Sequence, residues 1–252
     1  MSRSRSDSSG IQGSRPYRDN SPVPGGGTPG SAMARLLVGV TLSIVVLLLG
    51  WIAKTGPLAR LDLRVDEHIA AHDRSSAVTT LAKVATTIAT PETVGVGLMI
   101  IVPVILVLVH RRLDAAKVFC MFAGALTLAE IGKKLINEHR PPVSLQAMAA
   151  DHSPSFPSGH TTTAAVLAVA LIVIATTVAW RAAALVLGVL YAVVVAVSRV
   201  YLGDHFPVDV LGGMLCALAA GFIVTGLAAL PAVQPWLRRL RLSAPGRTPP
   251  IA

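Results

Sequence analysis

Two histidines, three fixed cations and one well-placed carboxylate stand in three short polar stretches of an otherwise apolar chain. The stretches are KKLINEHRPP (Lys133 to Pro142), PSGH (Pro157 to His160) and SRVYLGDHFPVDV (Ser198 to Val210). His205 and Asp209 are four residues apart, so on a helix the carboxylate sits under the ring and accepts one imidazole N–H. The tautomer is then fixed and the other ring nitrogen is left as a nucleophile. Lys133, Arg140 and Arg199 supply positive charge for the equatorial oxygens of a tetrahedral anion, and His160 supplies an acid for a leaving group. That set is what phosphoryl transfer requires. Each stretch also has a plainer reading: a basic belt at a helix end, a capped helix with an interfacial histidine, and a helix-capping His–Asp pair.

The flanking residues say how these groups are held. Lys133 and Arg140 are seven apart, two helical turns, and so project from one face; Pro141 and Pro142 then stop the helix. Pro157 resets the chain, Ser158 is a good N-cap, and Gly159 permits close approach of a ligand to the backbone. The exposed N–H groups and the dipole at this helix start make an anion site, with His160 in the first turn. Arg199 closes one apolar run, Gly203 breaks the helix, and Pro207 suits the first turn of the next.

Those elements are membrane spans. The chain of 252 residues is 53% hydrophobic and only 14% charged, against about a quarter charged in soluble domains. Six apolar runs recur, at Leu36–Ala53, Val94–Val109, Ala115–Ile136, Thr161–Trp180, Ala182–Val197 and Val208–Leu230. They approach or exceed the ~18 residues that mark a crossing and lack the alternation of barrel strands. The expected fold is all-α: a polytopic bundle of six transmembrane helices. Residues 1–34, rich in Ser, Gly, Pro and Arg, read as a disordered tail, 35–231 as one membrane domain, and 232–252 as a basic tail. The first run lies too far along the chain for a signal peptide.

The formal net charge of +9 lies mainly between and beyond the spans, and no aromatic–basic interleaving suggests nucleic acid as a partner. More than half of the 22 Lys and Arg fall inside if both termini are cytoplasmic, which puts all three polar stretches outside. Cys120 and Cys216 read as packing residues. The 54–92 segment is expected to form one or two short helices on the membrane surface. His68 and His72, four apart, read there as part of a solvated amphipathic face rather than as metal ligands. Glu130, one turn before the two lysines, is expected to pair with Lys134 and so help place Lys133.

In these motifs the chain resembles the type 2 phosphatidic acid phosphatase (PAP2) superfamily. That pattern is Lys, six residues, Arg-Pro; then Pro-Ser-Gly-His; then Ser-Arg, five residues, His, three residues, Asp. This chain reads Lys133 to Arg140-Pro141, Pro157-Ser158-Gly159-His160, and Ser198-Arg199 to His205 to Asp209. The resemblance implies a bundle of the PAP2/haloperoxidase-like type with its pocket near the outer leaflet. It also implies roles: His205 as nucleophile, Asp209 as its orienting partner, and His160 as acid and then base. Lys133, Arg140, Arg199, Ser158 and Gly159 become the phosphate cradle. No metal and no cofactor is implied. The expected substrate is a phosphate or diphosphate on a lipid, foremost undecaprenyl diphosphate. Phosphatidylglycerol phosphate, phosphatidate, transfer to a hydroxyl acceptor and a non-enzymatic anion transporter are the alternatives.

Overall fold

The structure, a computed structural model, describes residues 28–149 and 151–242. Most of the expected amino-terminal tail (1–27) and part of the basic carboxyl tail (243–252) lie outside the described residues. Among those described, the chain forms nine α-helices and no strand: α1 (Pro29–Ala53), α2 (Gly56–His68), α3 (Ser76–Thr87), α4 (Val96–Leu108), α5 (Arg112–Ile136), α6 (Gly159–Ile174), α7 (Val178–Tyr201), α8 (Pro207–Ala229) and α9 (Gln234–Leu242). The result is an all-α, polytopic membrane bundle.

Five stretches are long and apolar enough to cross a membrane: Pro29–Ala53, Ser76–Leu108, Arg112–Ile136, Val178–Tyr201 and Pro207–Ala229. Six were expected. The difference lies in α6, which was expected to run from Thr161 to Trp180 but ends at Ile174. Ala175 is extended, and the Thr177 hydroxyl accepts the Trp180 N–H at 3.1 Å, so a new helix begins there. Arg111 donates to the Ile174 carbonyl left open by the break. At 16 residues, α6 spans roughly 24 Å, less than the ~30 Å hydrocarbon core. It is buried on nearly all sides by α5, α7 and α8, so protein rather than lipid meets most of its surface.

The 54–92 segment also differs from expectation. Helix α2 is short, but α3 continues through a π-helical turn (Pro91–Gly95) into α4, and the whole forms one 33-residue apolar stretch. Its threonines disguise this in the sequence. Thr80 and Thr87 each donate to a carbonyl one turn back, at 2.9 Å, and a hydroxyl satisfied in this way sits comfortably among lipid-facing residues such as Leu81, Val84 and Ile88.

Small residues set the packing, as is usual where lipid removes the hydrophobic drive between helices. On α1, Ala32, Gly39, Val46, Gly50 and Ala53 share the buried face, while Leu37, Ile44, Leu48 and Trp51 face outward. Phe156 is wholly buried in the notch that Gly50 of α1 and Gly212 of α8 leave open. It anchors the chain just before the Pro157–His160 stretch. A Cβ on Gly213 of α8 would stand 2.7 Å from the Ser158 carbonyl oxygen and 3.0 Å from the Thr162 nitrogen, so this glycine lets α6 begin against α8. Of the two free cysteines, Cys216 is buried and Cys120 exposed on the bundle surface.

Gly213→Val is expected to lower stability by about 1–3 kcal/mol through overpacking against backbone. Gly97→Ala, where a Cβ meets nothing within 4 Å, should stay within about 0.5 kcal/mol of the parent. Thermal unfolding in detergent, run on both variants, checks the pair.

Candidate active site

The close of α5, the start of α6, the close of α7 and the start of α8 meet at one end of the bundle, and all eight residues expected at the site lie there. Helix α5 ends because Asn137 turns left-handed (φ 50°, ψ 51°) while its N–H still reaches the Lys133 carbonyl. The helix was expected to run on to Arg140 and put it on one face with Lys133; instead it stops four residues earlier, and Arg140 stands in non-helical chain. Glu130 Oε1 pairs with Lys133 Nζ at 3.1 Å. The expected partner, Lys134, points out of the bundle, and the three-residue spacing takes the pair directly to Lys133. Lys133 Nζ thereby comes to 3.6 Å from where a Cβ on Gly159 would stand, at the mouth of α6.

Ser158 caps α6, accepting the Thr161 N–H at 3.4 Å, and its own N–H donates to the Asp209 carbonyl oxygen at 3.0 Å. That bond ties the start of α6 to the start of α8. The first N–H groups of α6, from Gly159 onward, have no carbonyl one turn back to pair with. Half-buried His160 stands beside them.

His205 and Asp209 are both buried. Nδ1 of His205 lies 3.3 Å from Asp209 Oδ2 and 3.2 Å from the Ser155 hydroxyl. Asp209 Oδ2 also accepts the Phe206 N–H at 2.9 Å and the Ser155 hydroxyl. On the other side of the ring, Arg140 Nη1 stands 3.3 Å from His205 Nε2. A guanidinium has donors and no acceptor, so Nε2 accepts here and the ring proton belongs on Nδ1, facing Asp209. Burial first, then the neighbouring Arg199 and Arg140 charges, hold the His205 pKa well below the ordinary imidazole range. Its free nitrogen therefore keeps a lone pair at neutral pH.

Both arginines are fixed by partners that the motif reading did not include. Arg140 donates to the Ser153 carbonyl (3.0 Å), the Ser153 hydroxyl (3.0 Å) and the Asp204 carbonyl (2.9 Å), and pairs with Asp151 Oδ2 at 2.8 Å. Arg199, almost wholly buried, pairs with Asp204 Oδ2 at 3.1 Å and reaches Thr86 of α3 at 3.4 Å. Its Nε has no partner. Burial pushes the Asp204 carboxyl upward against the pull of Arg199 and Arg140. Burial also tends to raise Asp151, but the Ser153 N–H and hydroxyl together with Arg140 outweigh it, and the Asp151 pKa ends below the usual carboxylate range. Gly203 makes the preceding turn at φ +70°, where a Cβ would collide with the Leu145 carbonyl oxygen. Arg74 holds the same corner, donating to the Tyr201 and Leu145 carbonyls.

Ser155, Asp151, Ser153, Asp204 and Thr86 were not singled out from the sequence. Asp204 adjoins His205, so adjacency was its one available signal. The others lie in irregular chain or on another span. His68 and His72 stack at 4.8 Å between ring centroids, away from this site. Among the described residues, no group of three or more His, Cys, Asp or Glu is arranged to hold a metal ion.

The sequence model of the PAP2 superfamily matches residues 114–229. By structure, the chain is similar to a transmembrane PAP2-type phosphatidylglycerolphosphate phosphatase from Bacillus subtilis, with TM-score 0.65 and 22% identity over 83% of this chain and 98% of that one. It is also similar to Aquifex aeolicus LpxE, with TM-score 0.53 and 21% identity over 68% and 96%. Both likenesses concern the fold. By sequence, it is 35% identical over 69 residues to the undecaprenyl-diphosphatase BcrC of Bacillus subtilis, and 32% identical over 108 residues to an undecaprenyl-diphosphatase of Sulfolobus acidocaldarius. These matches cover 27% and 40% of this chain, and the chain spans 33% and 49% of the two relatives.

Asp151 is a carboxylate paired with Arg140, one of the cations expected to hold phosphate. If the site takes a phosphorylated substrate, Asp151→Asn is expected to lower its KM by about two- to five-fold, the scale of one screened ion pair, with kcat little changed. Steady-state kinetics on the variant reads the split.

Proposed function

We propose that this chain, a member of the PAP2 superfamily through residues 114–229, is an integral membrane phosphatase acting on a lipid phosphate or diphosphate. The observation that carries the reading is the orientation of His205. One ring nitrogen is turned to a buried carboxylate, and the other meets a guanidinium with its lone pair. A phosphoryl group seated on Arg140 would meet that lone pair directly.

In the first step, His205 Nε2 attacks phosphorus. A P–N bond forms and the P–O bond to the lipid-borne leaving group breaks. His160, at the half-buried start of α6, gives its proton to the departing oxygen. The Nδ1 proton stays on the ring, held by Asp209, and balances the charge of the phosphohistidine. In the second step, a water oxygen attacks phosphorus, His160 takes a proton from it, and the P–N bond breaks to regenerate Nε2. Lys133, Arg140 and Arg199 bear the charge that grows on the equatorial oxygens, with Ser158 and the Gly159 N–H completing the cradle. Three fixed cations already provide the charge that a metal ion would, which is the ground for proposing that turnover needs none.

The chain direction supports a location for the site. Lys54, just past α1, donates to the Ile136 carbonyl at the close of α5, so α1 runs toward the site and its amino-terminal end lies at the opposite end of the bundle. The carboxyl end of α8 lies there too. With α6 as a sixth, protein-sheathed crossing, both termini are cytoplasmic and the site faces the extracytoplasmic side, as the Lys and Arg distribution favours. The named activity of the two sequence relatives supports undecaprenyl diphosphate as substrate. Phosphatidylglycerol phosphate, the lipid named for one neighbour in fold, is the second substrate to test.

Phosphate release from a panel of lipid monophosphates and diphosphates tests the assignment. His205→Ala should lose at least about 10³-fold in kcat, and His160→Ala about 10²–10⁴-fold. Full hydrolysis by His205→Ala overturns the reading, and undiminished anion flux by that variant in vesicles would point to transport instead. Activity should survive excess EDTA, and vanadate, which adopts the geometry of five-coordinate phosphorus, should inhibit competitively. Loss in EDTA restored by Mg²⁺ would contradict the metal-free cradle.

A further inference from the structure

Helix α2 carries two acids on one face, Asp62 and Asp66, which are 4% and 0% exposed. Glu138, just past α5, is 8% exposed. Asp62 and Asp66 lie outside the three polar stretches, and Glu138 lies within the first of them without being one of its motif positions. Asp62 accepts the N–H of Val208 in the first turn of α8, next to Asp209. Asp66 lies within electrostatic reach of Asp209 and Asp62, and Asp209 within reach of Glu138 and Asp62.

The cluster is short of donors. Both carboxyl oxygens of Asp66, Oε2 of Glu138 and Oδ1 of Asp209 are buried with no hydrogen-bond partner. Two cations stand near, and each gives part of its donors to backbone carbonyls. Arg74, facing Asp66, donates to the Tyr201 and Leu145 carbonyls at 3.0 and 2.5 Å. Lys54, facing Glu138, donates to the Ile136 carbonyl at 2.8 Å. Four buried carboxyl groups cannot all ionise at such a site, and unpaired polar oxygens in a dry interior call for a donor. No metal-holding arrangement exists among them.

Resting on the proposed phosphatase reading, we propose that Asp66, in a buried acid cluster with Asp62 and Glu138, works as a neutral, protonated carboxyl group and in that state sets the charge that Asp209 meets. A neutral Asp66 removes one of the charges that the buried cluster would otherwise have to hold. It also keeps a further negative charge away from Asp209, which can then stay ionised and hold the Nδ1 proton of His205. Burial first, then the Asp209 and Asp62 charges, push the Asp66 pKa to about 8. Burial first, then Asp62, pushes Glu138 to about 7, and burial pushes Asp62 to about 6. Arg74 opposes the shift at Asp66, Lys54 that at Glu138, and the Val208 N–H that at Asp62.

The sign of the pH effect follows. A carboxyl raised from 3.8 to about 8 on folding contributes stability that is complete below its unfolded pKa and is lost as pH rises through the folded one. Wild-type protein should therefore lose thermal stability between about pH 4 and 8, and its turnover should fall above about pH 8 as Asp66 ionises.

The experiment compares the full chain with Asp66→Leu and Asp66→Asn in nanodiscs. Asp66→Leu should lower kcat by about ten-fold or more with little change in KM, and Asp66→Asn, which keeps a neutral donor, should recover most of that loss. In Asp66→Asn the fall above pH 8 should disappear, the thermal midpoint should vary less with pH, and the protonated-carboxyl band in the infrared spectrum at neutral pH should weaken. An Asn variant as inactive as the Leu one, or an unchanged infrared band, overturns the proposal. The infrared and thermal readouts need no substrate. If no lipid phosphate is hydrolysed, the phosphatase reading fails while the protonation of Asp66 is still decided.

Discussion

One carboxylate oxygen, Oδ2 of Asp209, ties together the end of the bundle where the three polar stretches meet. It accepts the Phe206 N–H and so closes the first turn of α8, it accepts the Ser155 hydroxyl and so binds the loop that leads into α6, and it faces Nδ1 of His205. Helix start, loop and imidazole are thus referred to a single point. The Asp209 carbonyl extends the arrangement by accepting the Ser158 N–H, which fixes the start of α6 against the start of α8. In a dry interior such a hub keeps its geometry because every alternative leaves a donor unsatisfied.

The bundle serves that hub by letting backbones approach closely. Gly213 brings the two helix starts together, Gly50 and Gly212 admit the Phe156 ring, and Gly132 leaves room for Pro157. These are contacts of shape, for which small residues are the currency inside a bilayer. The arginines are treated differently. Arg140 and Arg199 reach the site already ordered by Ser153, Asp204 and Thr86, so little side-chain freedom remains to be lost when an anion arrives.

The legible part of the sequence was residue type in short polar stretches beside helix ends: Ser158 and His160 open α6 as expected, and all three stretches meet at one end of the bundle. The helical spacing read between Lys133 and Arg140 did not hold, because α5 stops at Ile136 and Arg140 lies beyond it. Span limits were less legible. A hydropathy run continues from Thr161 through Trp180, but the Thr177 hydroxyl caps a second helix, a local hydrogen bond that apolarity does not reveal. The threonines of α3 misled in the other direction, since their hydroxyls are satisfied within the helix and the segment is more lipid-compatible than its composition suggests. Glu130 was assigned to the neighbouring lysine because one turn of helix allows both partners, and only packing decides between them. Asp62, Asp66 and Ser155 left no pattern to find, because each meets the site across a long stretch of chain.

The bond from the Val208 N–H to Asp62 links two parts of the chain with different standing. Val208 lies within the region that matches the superfamily, residues 114–229, while Asp62 comes from a helix upstream of it. The shared core is therefore not a free-standing cassette. Grafted onto another scaffold, it would arrive with the first turn of α8 short of an acceptor, and a compensating acid would have to be found in the new host. In this chain, a substitution at Asp62 is therefore to be read together with its effect on the start of α8.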